Sequence, residues 1–444
     1  TPSFTNTYSL AFDGVDDYVD TGITTTGTND VSISCWIKTN ETFAYTESRC
    51  AFGGIDLTFG ANYTLGRLGS EFGSPDDMKV RVFNTFGTTK LNDNSWHNII
   101  YTYDYTSKEV KVYVDGNTTP EISATVSLFR SKKIAIGWNG TTSSYHFEGN
   151  VDEASYFNSV LTPANVSSIY NSGTPNDISS ISGLTAWYRN GDNGSYKSPQ
   201  WLIPNNSNVA NSRFSNYSFD YDGIDDHILT SSSFVATGVF TLSLWMKPTI
   251  LNSNQNILGN GTSSNNWVNP NGTTGIRVKP AGTLLNFSET GGNNLTVGSW
   301  NHILIYRDSS DNIGIFVNGA TFGATANNSN TLTLSTIGRG TNKYFSGNLD
   351  EVAFWNADKS SDVATIYSSG TPNDLSSLSP VGYWRSENST FSTNWTVTDN
   401  GSGSSDGTSA NMTIEDRVGD ASGSTLNGIS FNMTESDREE DTPS

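Results

Sequence analysis

The chain has 444 residues and carries 44 acidic against 24 basic side chains, which gives a net charge of −20. An acidic surface repels polyanions, so nucleic acid is not expected as a partner. No apolar run approaches the ~18 residues of a membrane span, so membrane insertion is not expected either. The chain begins at Thr1 without methionine or a signal peptide, and we expect it to have been processed or cut from a longer protein.

One strand-rich pattern occurs twice. Residues 8–18 read Tyr-Ser-Leu-Ala-Phe-Asp-Gly-Val-Asp-Asp-Tyr, and residues 217–227 read Tyr-Ser-Phe-Asp-Tyr-Asp-Gly-Ile-Asp-Asp-His. Matching segments follow in the same order, and both copies close on Ile-Tyr-x-Ser-Gly-Thr-Pro-Asn-Asp, ending at Asp177 and Asp374. The repeat predicts two homologous domains, at 1–188 and 217–385.

Period-two alternation runs through both copies, for example at residues 31–38, 98–104, 109–115 and 313–318. Asp115-Gly116 and Asn318-Gly319 are hairpin-turn dipeptides behind such strands. With abundant Gly, Ser, Thr and Asn, the pattern predicts an all-β chain: two tandem antiparallel β-sandwich domains. One short helix is predicted near the end of each copy, after Thr162 in the first and after Asp358 or Ser360 in the second.

Two cysteines do not make a disulfide framework. Cys35 lies on the inward face of an alternating strand, and Cys50 shares a face with Phe52. A disulfide between them needs Cα atoms within about 7 Å, and the alternative is two reduced, buried thiols.

The two segments outside the repeats differ in character. Residues 189–216 form a linker whose apolar residues 201–204 we expect to dock on a domain surface. Residues 386–444 hold eleven acids, two arginines and no lysine, and are predicted to be an acidic tail that is either disordered or donates strands. The alternation of Ile429, Phe431 and Met433 favours docking, with a partner or a neighbouring copy of the chain.

These motifs resemble the laminin-G-like, concanavalin A-like jelly-roll superfamily in its pentraxin-related branch. The resemblance rests on residues 12–17, 34–38, 96–97, 112–116 and 149–153 and their second-copy equivalents. It implies a jelly roll in each domain. The closing phrase, the connector at 205–210 and the acidic ending are also similar to laminin-G-like proteins of marine bacteriophages, which implies a virion component exposed to host glycans.

The resemblance also implies a structural calcium ion where the first and last strands run side by side. It places the ligands in two equivalent sets, one per domain: Asp13, Asp16 and Asp152, and Asp222, Asp225 and Asp350. Ca²⁺ takes six to eight oxygen ligands, which a glycine-kinked acidic turn supplies from carboxylates and carbonyls. The alternative is that these are solvated turn residues.

Sugar binding needs an exposed aromatic platform beside polar groups. Four aromatic residues in Asn/Gly-rich, loop-like stretches are the candidates: Trp138, Tyr145, Trp267 and Tyr344. Simple packing or a subunit interface is the alternative for them.

Catalysis is not expected. Asp152-Glu153 and Asp350-Glu351 are adjacent, so on a regular strand their side chains point to opposite faces. The function predicted is a non-enzymatic structural protein of the virion surface, a fibre, tail or decoration component, that binds host glycan. Its partners would be other virion proteins or copies of itself joined through the tail. The alternatives are a secreted or cell-surface adhesin and a pure assembly or spacer protein.

Overall fold

The computed structural model describes residues 4–42, 48–56, 63–71, 74–126, 132–139, 145–192, 194–208, 214–261, 263–419 and 426–443. The chain forms two compact units. Unit 1 comprises residues 1–209 together with 426–444, and unit 2 comprises residues 210–425.

Unit 1 consists of two packed antiparallel sheets, as predicted for an all-β sandwich. Its strands are β1 (Ser9–Asp13), β2 (Tyr18–Thr25), β3 (Val31–Lys38), β4 (Ser48–Asp56), β5 (Tyr63–Glu71), β6 (Ser74–Val82), β7 (Thr85–Phe86), β8 (Trp96–Asp104), β9 (Glu109–Val114), β10 (Ile122–Thr125), β11 (Lys132–Ile136), β12 (Glu148–Phe157), β13 (Leu184–Tyr188), β14 (Ser195–Lys197), β15 (Gln200–Ile203), β33 (Gly428–Phe431) and β34 (Arg438–Glu439). In the first sheet the order is β10-β9-β8-β3-β12-β1-β34, and β13 also pairs with β12. In the second sheet the order is β14-β15-β33-β2-β11-β4-β5-β6-β7.

Unit 2 repeats this arrangement, and β29 runs on from one sheet into the other, so that the hydrogen bonding closes into a barrel. Its strands are β16 (Ser218–Asp222), β17 (His227–Ala236), β18 (Phe240–Pro248), β19 (Leu258–Asn260), β20 (Ser263–Pro270), β21 (Gly275–Lys279), β22 (Leu285–Ser288), β23 (Asn301–Arg307), β24 (Asn312–Val317), β25 (Ala320–Thr321), β26 (Ala326–Asn327), β27 (Leu332–Ile337), β28 (Ser346–Trp355), β29 (Gly382–Phe391), β30 (Trp395–Asp399), β31 (Gly407–Ala410) and β32 (Arg417–Val418).

Both predicted helices are present. In α1 (Pro163–Tyr170) the Thr162 side chain accepts from the Asn165 amide, which confirms the predicted cap. The second helix, α2 (Val363–Tyr367), follows a 3-10 turn, and its N-cap is Asp362 without a side-chain bond, so neither Asp358 nor Ser360 caps it. The 3-10 turns are Asn171–Gly173, Asn206–Asn208, Pro280–Gly282, Ser360–Asp362, Ser368–Gly370, Ser376–Leu378, Ile414–Asp416 and Glu435–Asp437. No helix in the described ranges is long and apolar enough to cross a membrane.

The predicted acidic tail is divided between the two units. Residues 386–425 supply the last strands of unit 2, and residues 426–444 return to unit 1. There β33 pairs with β2 and β15, and β34 pairs with β1. These strands therefore pair within the chain, because Ile429, Phe431 and Met433 bury their side chains in unit 1. The prediction had assigned them to a partner or a neighbouring copy.

Unit 2 is thus inserted into a single connection of unit 1, the one between β15 and β33. The equivalent connection in unit 2, between β30 and β31, contains only residues 400–406. The predicted linker is shorter than 189–216, because Trp201, Leu202 and Ile203 are buried in β15 as the apolar pattern predicts. Residues 209–213 of that linker and 420–425 of the tail lie outside the described residues.

Cys35 and Cys50 are free thiols in the structure, each fully enclosed in unit 1. Burial raises the pKa of Cys35 to about 12, and burial also raises the pKa of Cys50, with a smaller contribution from Cys35. Of the two alternatives left by the sequence, the structure contains the reduced pair.

Candidate functional site

The acidic turn between β1 and β2 is organised by its own carboxylates. Asp13 Oδ1 accepts from the amides of Val15 at 2.8 Å and Asp16 at 3.2 Å, and Asp17 Oδ2 accepts from the Asp13 amide at 3.0 Å. Gly14 is required at this position, since its φ is 76° and a Cβ would lie 2.8 Å from Glu148. The turn of unit 2 repeats these bonds at Asp222, Ile224, Asp225 and Asp226.

Three carboxylates of each turn lie within 4.8 Å of one another: Asp13, Asp16 and Asp17, and Asp222, Asp225 and Asp226. Burial, reinforced by the neighbouring acids, raises the pKa of Asp17 to about 6 and that of Asp226 to about 7. Each turn therefore concentrates negative charge that its own backbone amides only partly offset.

The structure does not bring Asp152 or Asp350 to these turns. Asp13 pairs with Glu148 across β1 and β12, and Asp152 lies four residues further along β12, a separation of roughly 13 Å along the strand. Asp152 instead groups with Glu153 and Asp192. In unit 2 the corresponding group is Asp350, Glu351 and Glu387. Each predicted calcium set is thus divided between two places.

Contrary to the sequence prediction, the adjacent Asp and Glu do not point to opposite faces. Glu153 has φ 47° and Glu351 has φ 51°, and the strand register shifts at both positions. The extra residue of this β-bulge turns both carboxylates into one buried cluster. Local sequence gives no sign of a glutamate in the left-handed region, which is why strict alternation misplaced it.

An arginine that the sequence analysis did not single out lies in each buried cluster. Arg189 Nε lies 2.9 Å from Glu153 Oε1, and Arg385 Nε lies 2.9 Å from Glu351 Oε1. The same guanidinium groups donate to the carbonyls of Thr5 and Phe214, just ahead of the first strand of each unit. We call the two clusters the arginine centres: Arg189 with Asp152, Glu153 and Asp192, and Arg385 with Asp350, Glu351 and Glu387. The signal that marks them is the repeated pair of aromatics before arginine, Trp187-Tyr188-Arg189 and Tyr383-Trp384-Arg385.

The arginine centres fasten the start of each unit to β12 and the end of β13 in unit 1, and to β28 and β29 in unit 2. In unit 1, Asp192 accepts from the Thr7 amide at 2.9 Å and Asp152 accepts from Asn6 at 2.8 Å. In unit 2, Glu387 accepts from the Asn216 and Tyr217 amides, and Asp350 accepts from Ser215. Burial raises the pKa of Glu153 and of Asp350 to about 7, and burial with the neighbouring carboxylates also raises the pKa values of Asp152 and Glu351.

This donor set does not fit calcium. Ca²⁺ takes six to eight oxygens, whereas the oxygens of Asp350 accept from Ser215 and Ser386, and Glu351 accepts from Arg385 and Tyr383. A guanidinium already supplies the positive charge. The calcium prediction is therefore restricted to the acidic turns, where the exposed Asp16 makes no side-chain hydrogen bond to the described residues.

The four aromatic residues predicted to bind sugar lie in different surroundings. Trp138 is half-buried and stacks on His146 at 5.6 Å and against Tyr18 at 4.7 Å. Tyr145 is half-buried, has φ 76° and accepts through its carbonyl from the Cys50 amide. Tyr344 lies under the Arg339 guanidinium at 5.4 Å. Trp267 is half-exposed on β20 beside two cations.

A cleft of about 320 Å³ opens in unit 2, a volume within the range of small-ligand sites. Three largely buried rings in contact form its floor: the ring centroids of Phe234 and Phe354 lie 4.7 Å apart, and those of Phe354 and Trp384 lie 5.3 Å apart. Residues of its wall and rim are Ser232, Ser233, Val235, Asn356, Val381, Gly382, Asp399, Gly403 and Ser405. No local sequence pattern marks this cleft, since its walls come from four separate segments.

The wall of the cleft is held rigidly. Asp399 Oδ1 accepts from the amides of Tyr383 at 2.7 Å and Gly401 at 2.8 Å, and its Oδ2 accepts from Ser405 at 2.9 Å. Trp384 Nε1 donates to the Ser405 carbonyl at 2.9 Å. An aromatic floor with a polar rim is the arrangement that receives a sugar ring, because apolar C–H faces and hydroxyl edges are both matched.

A laminin G-type family model, described as the concanavalin A-like lectin/glucanases superfamily, matches residues 13–167 and 222–363. The chain belongs to this superfamily. The two matches fall on the two copies of the repeat and confirm the all-β jelly-roll prediction.

Solved structures similar to the chain share little sequence with it. A putative carbohydrate binding protein from Bacteroides ovatus is 11% identical over 94% of this chain and 99% of its own, with a TM-score of 0.36. Mouse laminin alpha1 domains LG4-5 are 12% identical over 80% and 90%, with a TM-score of 0.26. A pentraxin from Limulus polyphemus is 16% identical over 35% and 83%, with a TM-score of 0.30. No curated protein matches the chain.

Proposed function

We propose that the chain is a non-enzymatic glycan-binding protein of an extracellular surface, with the cleft of unit 2 as its sugar site. The observation that carries the proposal is the cleft itself, in which three aromatic rings form the floor and serine, asparagine and aspartate groups form the walls. Membership of a superfamily that contains lectins supports it.

In this proposal the carboxylates of the arginine centres have a structural role. They are buried and accept hydrogen bonds from the backbone and side chains of their own units. The cavity beside Asp350 and Arg385 has only about 10 Å³, which is the space of one water molecule. A glycosidic bond has no access to these buried carboxylates, so in this proposal they hold the fold together and do not cleave glycan.

The test is to fill the cleft without disturbing its floor. Ser233→Trp places an indole in the opening, because Ser233 is exposed and lines the cleft. Thr237→Trp is the matched control, an equally exposed position one residue beyond β17 that does not line the cleft. On a glycan array, S233W loses the signals that the wild type and T237W share. Equal signals from all three proteins would exclude the cleft as the sugar site.

The finer placement follows the phage resemblance: a structural protein of the virion surface whose cleft meets host glycan. Mass spectrometry of density-purified particles tests it. Stoichiometric recovery with capsid and tail proteins supports the virion, whereas recovery with cell envelopes or secreted material replaces it by an adhesin. A pure spacer is the outcome if no glycan binds to any variant.

A further inference from the structure

Unit 2 carries a group of cations that have no acidic partner among the described residues. Arg277 and Lys279 alternate along β21 with Ile276 and Val278, whose side chains are fully buried. Both cations therefore face outward, beside Trp267 on the paired strand β20. The Arg277 guanidinium lies 5.5 Å and the Lys279 ammonium 5.7 Å from the Trp267 ring centroid.

A third cation joins them from another segment. Lys343 Nζ donates to the Ser253 carbonyl at 2.7 Å, and Arg277 Nη2 donates to the same carbonyl at 3.2 Å. Two positive charges therefore meet at one neutral oxygen. We call Trp267, Arg277, Lys279 and Lys343 the basic patch.

The partners of the basic patch are all neutral. Lys279 donates to the Ser264 carbonyl at 3.0 Å, and Arg277 Nε donates to Asn269 Oδ1 at 3.0 Å. None of its three cations forms an ion pair within the part of the chain that the structure describes. Elsewhere in unit 2, Lys359 pairs with Asp362 and Arg385 with Glu351. In a chain with net charge −20, three cations left unneutralised side by side are a local reversal of sign.

Like charges in contact repel, and a bound anion removes that cost. Arg277 uses two of its five N–H donors here and Lys343 one of three, so donors remain for an incoming oxyanion. The half-exposed indole of Trp267 offers an apolar surface to a sugar ring. Exposed amides lie close by, since Asn286 is the register partner of Arg277 on β22.

We propose that the basic patch is a second binding site, separate from the cleft, for acidic polysaccharide that bears sulfate or uronate groups. No residue of the patch lines the cleft. A single-stranded nucleic acid also joins negative charge to flat rings, but the overall charge of −20 opposes the approach of a long polyanion whose contacts extend beyond three cations. An acidic sugar needs only one or two residues at the patch.

Affinity measurements with the full chain test the proposal, using dextran sulfate and alginate as probes and neutral dextran as the uncharged comparison. R277Q/K279Q removes two charges from the patch. The matched control is K111Q/K359Q, which also removes two charges, but from lysines already paired with Glu109 and Asp362. Circular dichroism and the melting temperature establish that both variants are folded.

We expect the wild type and K111Q/K359Q to bind dextran sulfate or alginate alike, and R277Q/K279Q to bind about tenfold more weakly. Raising NaCl from ~50 to ~300 mM should weaken the binding, because the charges of the half-buried side chains remain partly accessible to solvent ions. Equal affinity of the two variants, or tighter binding of an oligothymidylate than of both polysaccharides, would overturn the proposal. S233W separates the two sites: it should leave binding of these probes unchanged, whatever the array shows for the cleft.

Discussion

Removal of the last 19 residues should unfold unit 1 and leave unit 2 intact. A chain that ends at Thr425 lacks β33 and β34, which belong to unit 1, and keeps every strand of unit 2. The truncation takes Ile429, Phe431 and Met433 out of the unit 1 structure, where they are 3%, 8% and 2% exposed.

The magnitude follows from burial. Each of these three side chains contributes about 2 kcal/mol when it is fully buried, or about 6 kcal/mol together. Trp201, itself 2% exposed, also loses the Thr434 carbonyl that accepts from its Nε1 at 2.7 Å. An unsatisfied buried donor costs about 1–3 kcal/mol more. The total is comparable to the whole stability of a typical domain, about 5–15 kcal/mol.

Limited proteolysis followed by mass spectrometry is the assay. In the truncated chain, peptides from residues 1–209 should be released early, while a fragment covering 214–419 resists. A chain ending at Asp441, which retains both strands and the contact of Asp441 with Lys38, is the control. Adding a synthetic peptide of residues 426–444 should restore protection. If unit 1 of the truncated chain resists protease as well as the control does, the assignment of these strands to unit 1 is refuted.

Three further outcomes are expected. Stability should fall as pH rises from about 4 to about 7, because folding raises the pKa values of Glu153 and Asp350 to about 7 and the folded chain holds protons that the unfolded chain releases; the slope is about 1.4 kcal/mol per pH unit for each site, and D350N should reduce it in denaturant titrations. Cys35 and Cys50 should react with a thiol reagent only on unfolding, and rapid reaction of the native chain would contradict their burial. Millimolar Ca²⁺ should raise the melting temperature by relieving repulsion within the acidic turns, and D16N/D225N should remove that rise; an unchanged wild-type melting temperature would end the calcium prediction.

The repeat made most of the fold predictable. Each copy carries its strands in the same order, and Thr162 before Pro163 was enough to locate the start of α1. The end of the acidic tail was harder, since two of the strands that receive it, β1 and β2, lie about four hundred residues earlier in the chain and no local pattern points to them. The signal was nevertheless present: residues 407–417 and 428–438 share Gly-x-Ser-x-Asn-Met-Thr-x-x-Asp-Arg. This repeat within the tail indicates one closing set of two strands for each domain, β31 and β32 in unit 2 and β33 and β34 in unit 1.

The candidate site was less predictable for a different reason. The acidic turns are local, and the family resemblance of their Asp-Gly-x-Asp-Asp motif singled out Asp13, Asp16, Asp222 and Asp225 as ligand candidates. The cleft and the arginine centres arise where distant segments meet, and a bulge at Glu153 overrides the alternation that sequence reasoning assumes. Trp267 was predicted to lie in a loop-like stretch and lies on strand β20, and its neighbours Arg277 and Lys343 come together only through the fold of unit 2.

The strand pairing explains how a whole domain fits inside one connection of another. Ile203, near the point where the chain leaves unit 1, pairs with Gly428, where it returns. Within unit 2, the entering strand β16 pairs with the leaving strand β32 through Ser218 and Val418. Both the gap in unit 1 and the ends of unit 2 therefore span neighbouring strands, about 5 Å apart. An insertion between such ends costs little beyond closing a longer loop, and each unit keeps its own sheets, core and arginine centre.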